Sequence, residues 1–116
     1  MSKDVQTLIA KAAQVRDHYR ELQETDGQKE WDVSDYMAGF TGDVGKLSKL
    51  VMAKQGLRRG PDNLDEALAH ELADCLWSIL VIADELKIDI ESEFKKTINE
   101  LNTRIERQKA DPTLLL

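Results

Sequence analysis

Residues 67–86, ALAHELADCLWSILVIADEL, leave a folding chain few choices. The second half of this segment, wound as a helix, carries apolar side chains on nearly every side, so other elements must enclose it. The neighbouring segments can supply the enclosure. From Asp4 to about Glu24, Val5, Leu8, Ile9, Ala12, Val15, Tyr19 and Leu22 recur at helical spacing until Gly27 breaks the pattern. A second helix is predicted from Ser34 as N-cap, with Asp35 in its first turn, through Tyr36, Phe40, Val44, Leu47 and Val51 to a Gly56 C-cap. Pro61 then breaks the chain, and Asn63, three residues before Glu66, predicts a capping-box-like start to the third helix, which reaches about Leu86. Asp89 caps a fourth through Phe94, Ile98, Leu101 and Ile105 toward Gln108, and Pro112 keeps the tail PTLLL out of it. Short connections favour antiparallel neighbours, so the expectation is an all-α four-helix bundle over residues 1–110 with a short tail at 111–116. A lone bundle usually leaves each helix a polar face, so the third helix points to a second subunit covering the remainder, with a large monomer core as the plainer alternative.

A chain of 116 residues suits one domain with one core. Its net charge of −6 argues against a nucleic-acid polymer as partner, because gripping a phosphate backbone requires surplus Lys and Arg. Cys75 is the only cysteine, so no intramolecular disulfide forms, which fits a reducing compartment. The start MSKDVQTLIAKAAQ lacks a signal-type apolar run, and no segment has the length of a membrane span. The expectation is a soluble, untargeted cytoplasmic protein.

Against this background three acids are misplaced. Glu71 and Asp74 lie side by side on the third helix, on the face that also holds Cys75, Ser78 and Ile82 and therefore points inward. Asp43 shares the second helix's inward stripe with Tyr36, Phe40, Leu47 and Leu50. Buried carboxylates need cations, hydrogen bonds or protons. Oxygen ligands converging from two helices of a bundle suit Mg²⁺ or Mn²⁺ completed by water and phosphate oxygens; Lys or Arg partners near the bundle end are the alternative. Gly39, Gly42 and Gly45 recur every third residue beside Asp43, a strip that permits either close helix packing or room for a ligand. His18 and His70 have no second histidine at metal spacing, so His70 reads as a polar neighbour of Glu71.

Two linked segments, GDVGKLSKLVMAKQG and HELADCLWSILVIADELKIDIE, resemble the EExxE and ExxD motifs of the MazG-like all-α nucleoside triphosphate pyrophosphohydrolases. The resemblance implies a dimeric or tetrameric helical bundle whose acids hold Mg²⁺ around a nucleoside triphosphate. Members are hydrolases that cleave between the α- and β-phosphates, giving the monophosphate and pyrophosphate. Carried over by position, Asp43 takes a glutamate ligand's place, and Glu71 and Asp74 match the ExxD acids. Asp43 or Glu71 is then the partner of the attacking water. Gly42 and Lys46 stand where the first and last acids of EExxE belong.

An ammonium at Lys46 repels a cation where a carboxylate should bind it. Three readings follow: a one-metal or weakened enzyme; substitution by another acid, Glu66 or Asp84; or a degenerate bundle in which Lys46 pairs with Glu71 or Asp74 and the chain binds a nucleotide or oligomerises without catalysis. Lys54, at the end of the second helix, and Arg58 and Arg59 in the turn are placed to meet phosphates, with a solvated basic turn as the plainer reading of the arginines. Lys96, Asn99, Asn102 and Arg104 lie where the family's fourth helix offers Lys, Asn and Arg to the nucleotide. Trp31 is either a base-stacking face or a hydrophobic staple for the second helix, and Trp77 reads as core or interface.

Overall fold

The computed structural model describes residues 3–111 and 113. It contains α1 (Lys3–Thr25), α2 (Val33–Lys54), α3 (Leu64–Glu85) and α4 (Ile90–Ala110), and no strand occurs among the described residues. The all-α reading holds. Pro112 and Leu114 to Leu116 lie outside the described residues, and with them most of the PTLLL tail. No helix among the described residues is long and apolar enough to cross a membrane.

The helix ends follow local hydrogen-bond chemistry. Asp32, not Ser34, caps α2: its Oδ1 accepts from the Asp35 N–H at 3.1 Å, and Asp35 Oδ2 accepts from the Asp32 N–H at 3.0 Å. This reciprocal box satisfies two otherwise orphaned donors, whereas Ser34, already the second residue of α2, lies past the cap position. Gly56 sits just beyond the C-cap residue Gln55 with φ +76°, and the Gly56 and Leu57 N–H groups donate to Ala53 and Met52 carbonyls at 3.0 and 2.9 Å. That left-handed step is cheap for glycine and closes α2. At α3 the expected box is not formed: Asn63 occupies the cap position, but its side chain makes no capping hydrogen bond. An ion pair between Lys54 Nζ and Asp65 Oδ1, 2.6 Å apart, ties the two helices across this turn instead. Asp89 caps α4 as expected, accepting from the Ser92 N–H at 3.1 Å.

Helix α3 lies at the centre, packed most extensively on α2 and less on α1. Ala12, Tyr36 and Val81, one from each of these helices, form the buried core, with Trp77, Leu80 and Ile82 packed around it. Polar bonds fix α1 on α3. Trp77 Nε1 donates to the Ala12 carbonyl at 3.2 Å, Arg16 Nη1 meets Asp84 Oδ2 at 2.5 Å, and Arg20 pairs with Glu85. Burial works against the Arg16 charge, but hydrogen bonds and attraction from Asp84 and Asp17 outweigh it and hold the guanidinium above its ordinary value. Replacing Arg16 with Met should lower stability by about 1–2 kcal/mol, less than for a fully buried pair because Asp84 is partly solvated. Urea denaturation measures this; an unchanged midpoint would show that the pairs are ornamental.

α4 packs weakly on the rest of the chain. The radius of gyration is 18.2 Å, against about 13 Å for a compact chain of this length. The stripe Phe94, Ile98, Leu101 and Ile105 is exposed along α4, at 63%, 39%, 42% and 43%. Exposed apolar residues also recur at helical spacing on α2 (Met37, Val44, Val51) and α3 (Leu72, Leu76, Ile79). Such spacing is that of helix–helix seams.

Candidate functional site

The packing of α2 on α3 brings the inward acids together. One carboxylate oxygen each from Asp43, Glu71 and Asp74 lies within 4.8 Å of the others. Asp43 and Asp74 are half-buried, while Glu71 is only 8% exposed and its Oε1 has no hydrogen-bond partner. Burial pushes the Glu71 carboxyl above its ordinary value, and Asp43, close enough to share its proton, and Asp74 push the same way; Lys46 pulls it back down. The cost of an ionised Glu71 is therefore relieved by a proton or by a cation.

That shift has a consequence for stability without added metal. Its direction means the folded state binds the Glu71 proton more tightly than the unfolded chain does, so the penalty is absent at pH 4, below the ordinary value of 4.5. The penalty sets in as pH rises through 4.5 and is complete above the raised folded value. Glu71→Gln should thus match the wild type in denaturation midpoint at pH 4 and exceed it at pH 8 in chelator. A constant difference across that range would remove the assignment.

The same three acids, after burial itself, push the buried Cys75 thiol up, which leaves it a protonated core side chain. Lys46 is exposed one turn after Asp43, and among the described residues it makes no ion pair with Glu71 or Asp74. The expected inversion of the site into a Lys46 salt bridge is therefore not realised. The expected substitute acids are also elsewhere: Asp84 is taken by Arg16, and Glu66 is exposed outside the cluster. His70 Nε2 pairs with Asp74 Oδ2 at 3.2 Å rather than with Glu71, because the i,i+4 step superposes them on one face. His18 is exposed on α1.

Asp43, His70 and Asp74 form one part of the lining of a cavity of about 680 Å³ between α1, α2 and α3. The rest is aromatic. Tyr19 meets Trp77 edge-on at 6.0 Å, Trp77 meets Tyr36 at 6.0 Å, and Tyr36 meets Trp31 at 5.5 Å between ring centroids. Trp31 precedes the α2 cap and packs on Tyr36 in the next turn, so it is the hydrophobic staple and also a wall of the cavity. Gly39 faces that wall, where a Cβ would make an ordinary contact with the Trp31 ring at 3.6 Å. A Cβ on Gly42 or Gly45 would meet nothing within 4 Å, so within one chain these two serve no close packing.

The other residues expected at a nucleotide are not brought to the acids in the single chain. Lys54 is paired with Asp65, and Arg58 and Arg59 are exposed in the turn. Lys96, Asn99 and Arg104 line a surface depression belonging to α4 alone, and Asn102 is exposed on the same helix. Conversely, Tyr19 and Gln23 line the acid-containing cavity although no motif marked them. Their only sequence signal was Tyr19's place in the α1 stripe.

The family described as the MazG nucleotide pyrophosphohydrolase domain matches residues 33–108, which span α2 to α4. No curated protein and no solved structure gives a significant match.

Proposed function

The chain belongs to the MazG nucleotide pyrophosphohydrolase family, and we propose that it hydrolyses nucleoside triphosphates, ribo- or deoxyribo-, to the monophosphate and pyrophosphate with Mg²⁺, or Mn²⁺ in its place. The observation that carries this reading is the convergence of Asp43, Glu71 and Asp74 beside an aromatic-walled cavity, with Glu71 Oε1 buried and unpartnered. Three hard oxygen donors with one orphaned oxygen suit a small dication that keeps several waters. Asp43, Glu71 and Asp74 would hold it, and when bound it supplies neutralisation and polarisation of the phosphates.

The chain's own residues do the rest. Asp43 or Glu71 accepts a hydrogen bond from the attacking water, aligns it with the α-phosphorus and takes its proton as the bond to the β-phosphate oxygen breaks. Trp31 offers a face to the base. Lys96, Asn99, Asn102 and Arg104 are the positions the family's pattern assigns to substrate, and Lys54, at the end of α2, is a cation placed to meet phosphates. Because α4 stands apart in one chain, its four residues reach a nucleotide only when its exposed stripe is packed, which favours a homodimer or homotetramer.

A second reading is a degenerate bundle that binds a nucleotide or oligomerises without catalysis. Lys46 favours it, since its charge is felt at Glu71 and Gly42 adds no ligand. Incubation with a panel of ribo- and deoxyribonucleoside triphosphates and Mg²⁺ or Mn²⁺, assayed for pyrophosphate, separates the two. Release that depends on Glu71 supports the enzyme; no release with any substrate supports the degenerate bundle.

A further inference from the structure

Within that cavity one polar side chain has its orientation fixed by its neighbour. Gln23, in the last turns of α1, lines the aromatic part together with Tyr19, Trp31, Tyr36 and Trp77. Its Oε1 accepts from the Trp31 backbone N–H at 2.9 Å. A backbone N–H can only donate, so the oxygen must face Trp31 and the amide cannot be flipped without stranding both groups. Nε2 is then the free end, and it donates to no described residue. Two other nitrogens in the walls are already committed, Trp77 Nε1 to the Ala12 carbonyl and His70 Nε2 to Asp74. The aromatic end of the cavity therefore offers a planar ligand stacking surfaces and a fixed N–H donor, with the acids in the same cavity to serve its phosphates.

We infer that Gln23 is a specificity-determining residue that selects nucleotides whose base presents a carbonyl at its edge (uracil, thymine or guanine) over those presenting an amino group there (cytosine or adenine). The inference rests on the nucleotide reading of the cavity. A carbonyl accepts from Nε2, whereas an amino group sets donor against donor and leaves two polar groups unpaired in a partly enclosed site. Gln23 acts here by contact with the base and also positions Trp31 through its oxygen.

The test compares pairs of equal ring size. Non-hydrolysable α,β-methylene triphosphates of uridine, cytidine, guanosine and adenosine are titrated calorimetrically into the full chain with Mg²⁺. The wild type should favour uridine over cytidine and guanosine over adenosine by roughly tenfold, the effect of one hydrogen bond exchanged for a donor clash. Gln23→Glu keeps an oxygen for the Trp31 N–H but turns the free end into an acceptor. Its tryptophan emission, from Trp31 and Trp77 together, should be unchanged while both ratios fall below one. Gln23→Met, which has neither function, should bring both ratios to about one. Ratios that stay the same in both variants, or a wild type that prefers the amino bases, overturn the assignment of Gln23 while leaving a nucleotide site in place. Failure of every analogue to bind overturns the inference and the reading beneath it.

Discussion

Glu71→Gln should reduce pyrophosphate release at least roughly a hundredfold, more than 2.7 kcal/mol of barrier, without lowering stability. Glu71 is the most buried of the three clustered acids, with one oxygen unpartnered. The amide has the same shape but lacks the charge that holds a dication and the basicity that takes a proton from water. In the chelated protein the substitution also removes a buried ionised group. Activity and stability should therefore move in opposite directions at neutral pH. Initial rates from pyrophosphate release, set beside thermal midpoints in chelator, measure both. Parallel loss of the two would mean that Glu71 supports the α2–α3 packing and nothing more.

Lys46→Glu should raise Mg²⁺ affinity by roughly thirtyfold, about 2 kcal/mol, because it changes the charge beside a dication by two units even under water-like screening. The residue lies one turn after Asp43 and its charge already reaches Glu71 without forming an ion pair. Nothing has to be broken to make the change, since Lys46 is exposed. Isothermal titration of Mg²⁺ into both proteins gives the answer, and the gain should shrink as salt is added because the site is open to solvent. An affinity that does not rise would place Lys46 outside the electrostatic reach of the ion and weaken the case for a degenerate bundle.

The helices were legible because hydrophobic periodicity and capping chemistry act over a few residues. Gly56 and Asp89 could be placed from neighbours alone. Asp32 and Ser34 are about equally good cap types, so residue type does not choose between them, and only the reciprocal bonds with Asp35 show which one wins. Asp43, Glu71 and Asp74 could each be assigned an inward face from the 3.6-residue period, but their meeting within 4.8 Å depends on how far α2 slides along α3, a distance no local pattern encodes.

For the same reason Asp84 and His70 could not be placed beforehand. Asp84 shares α3 with the acids yet is drawn to Arg16, 68 residues earlier in the chain, and His70 turns to Asp74. Gln23 carries no motif, and its role as a fixed donor exists only because the turn after α1 brings the Trp31 N–H onto its oxygen. Four amphipathic helices, an acidic motif set and the departure at Lys46 are readable from the chain alone, since each is written in residue type and short-range spacing. Which acids converge, that Lys46 makes no ion pair with them, that aromatics from α1 to α3 enclose one cavity, and that α4 packs only weakly on the other helices all depend on contacts between residues far apart in the chain, which no local pattern encodes.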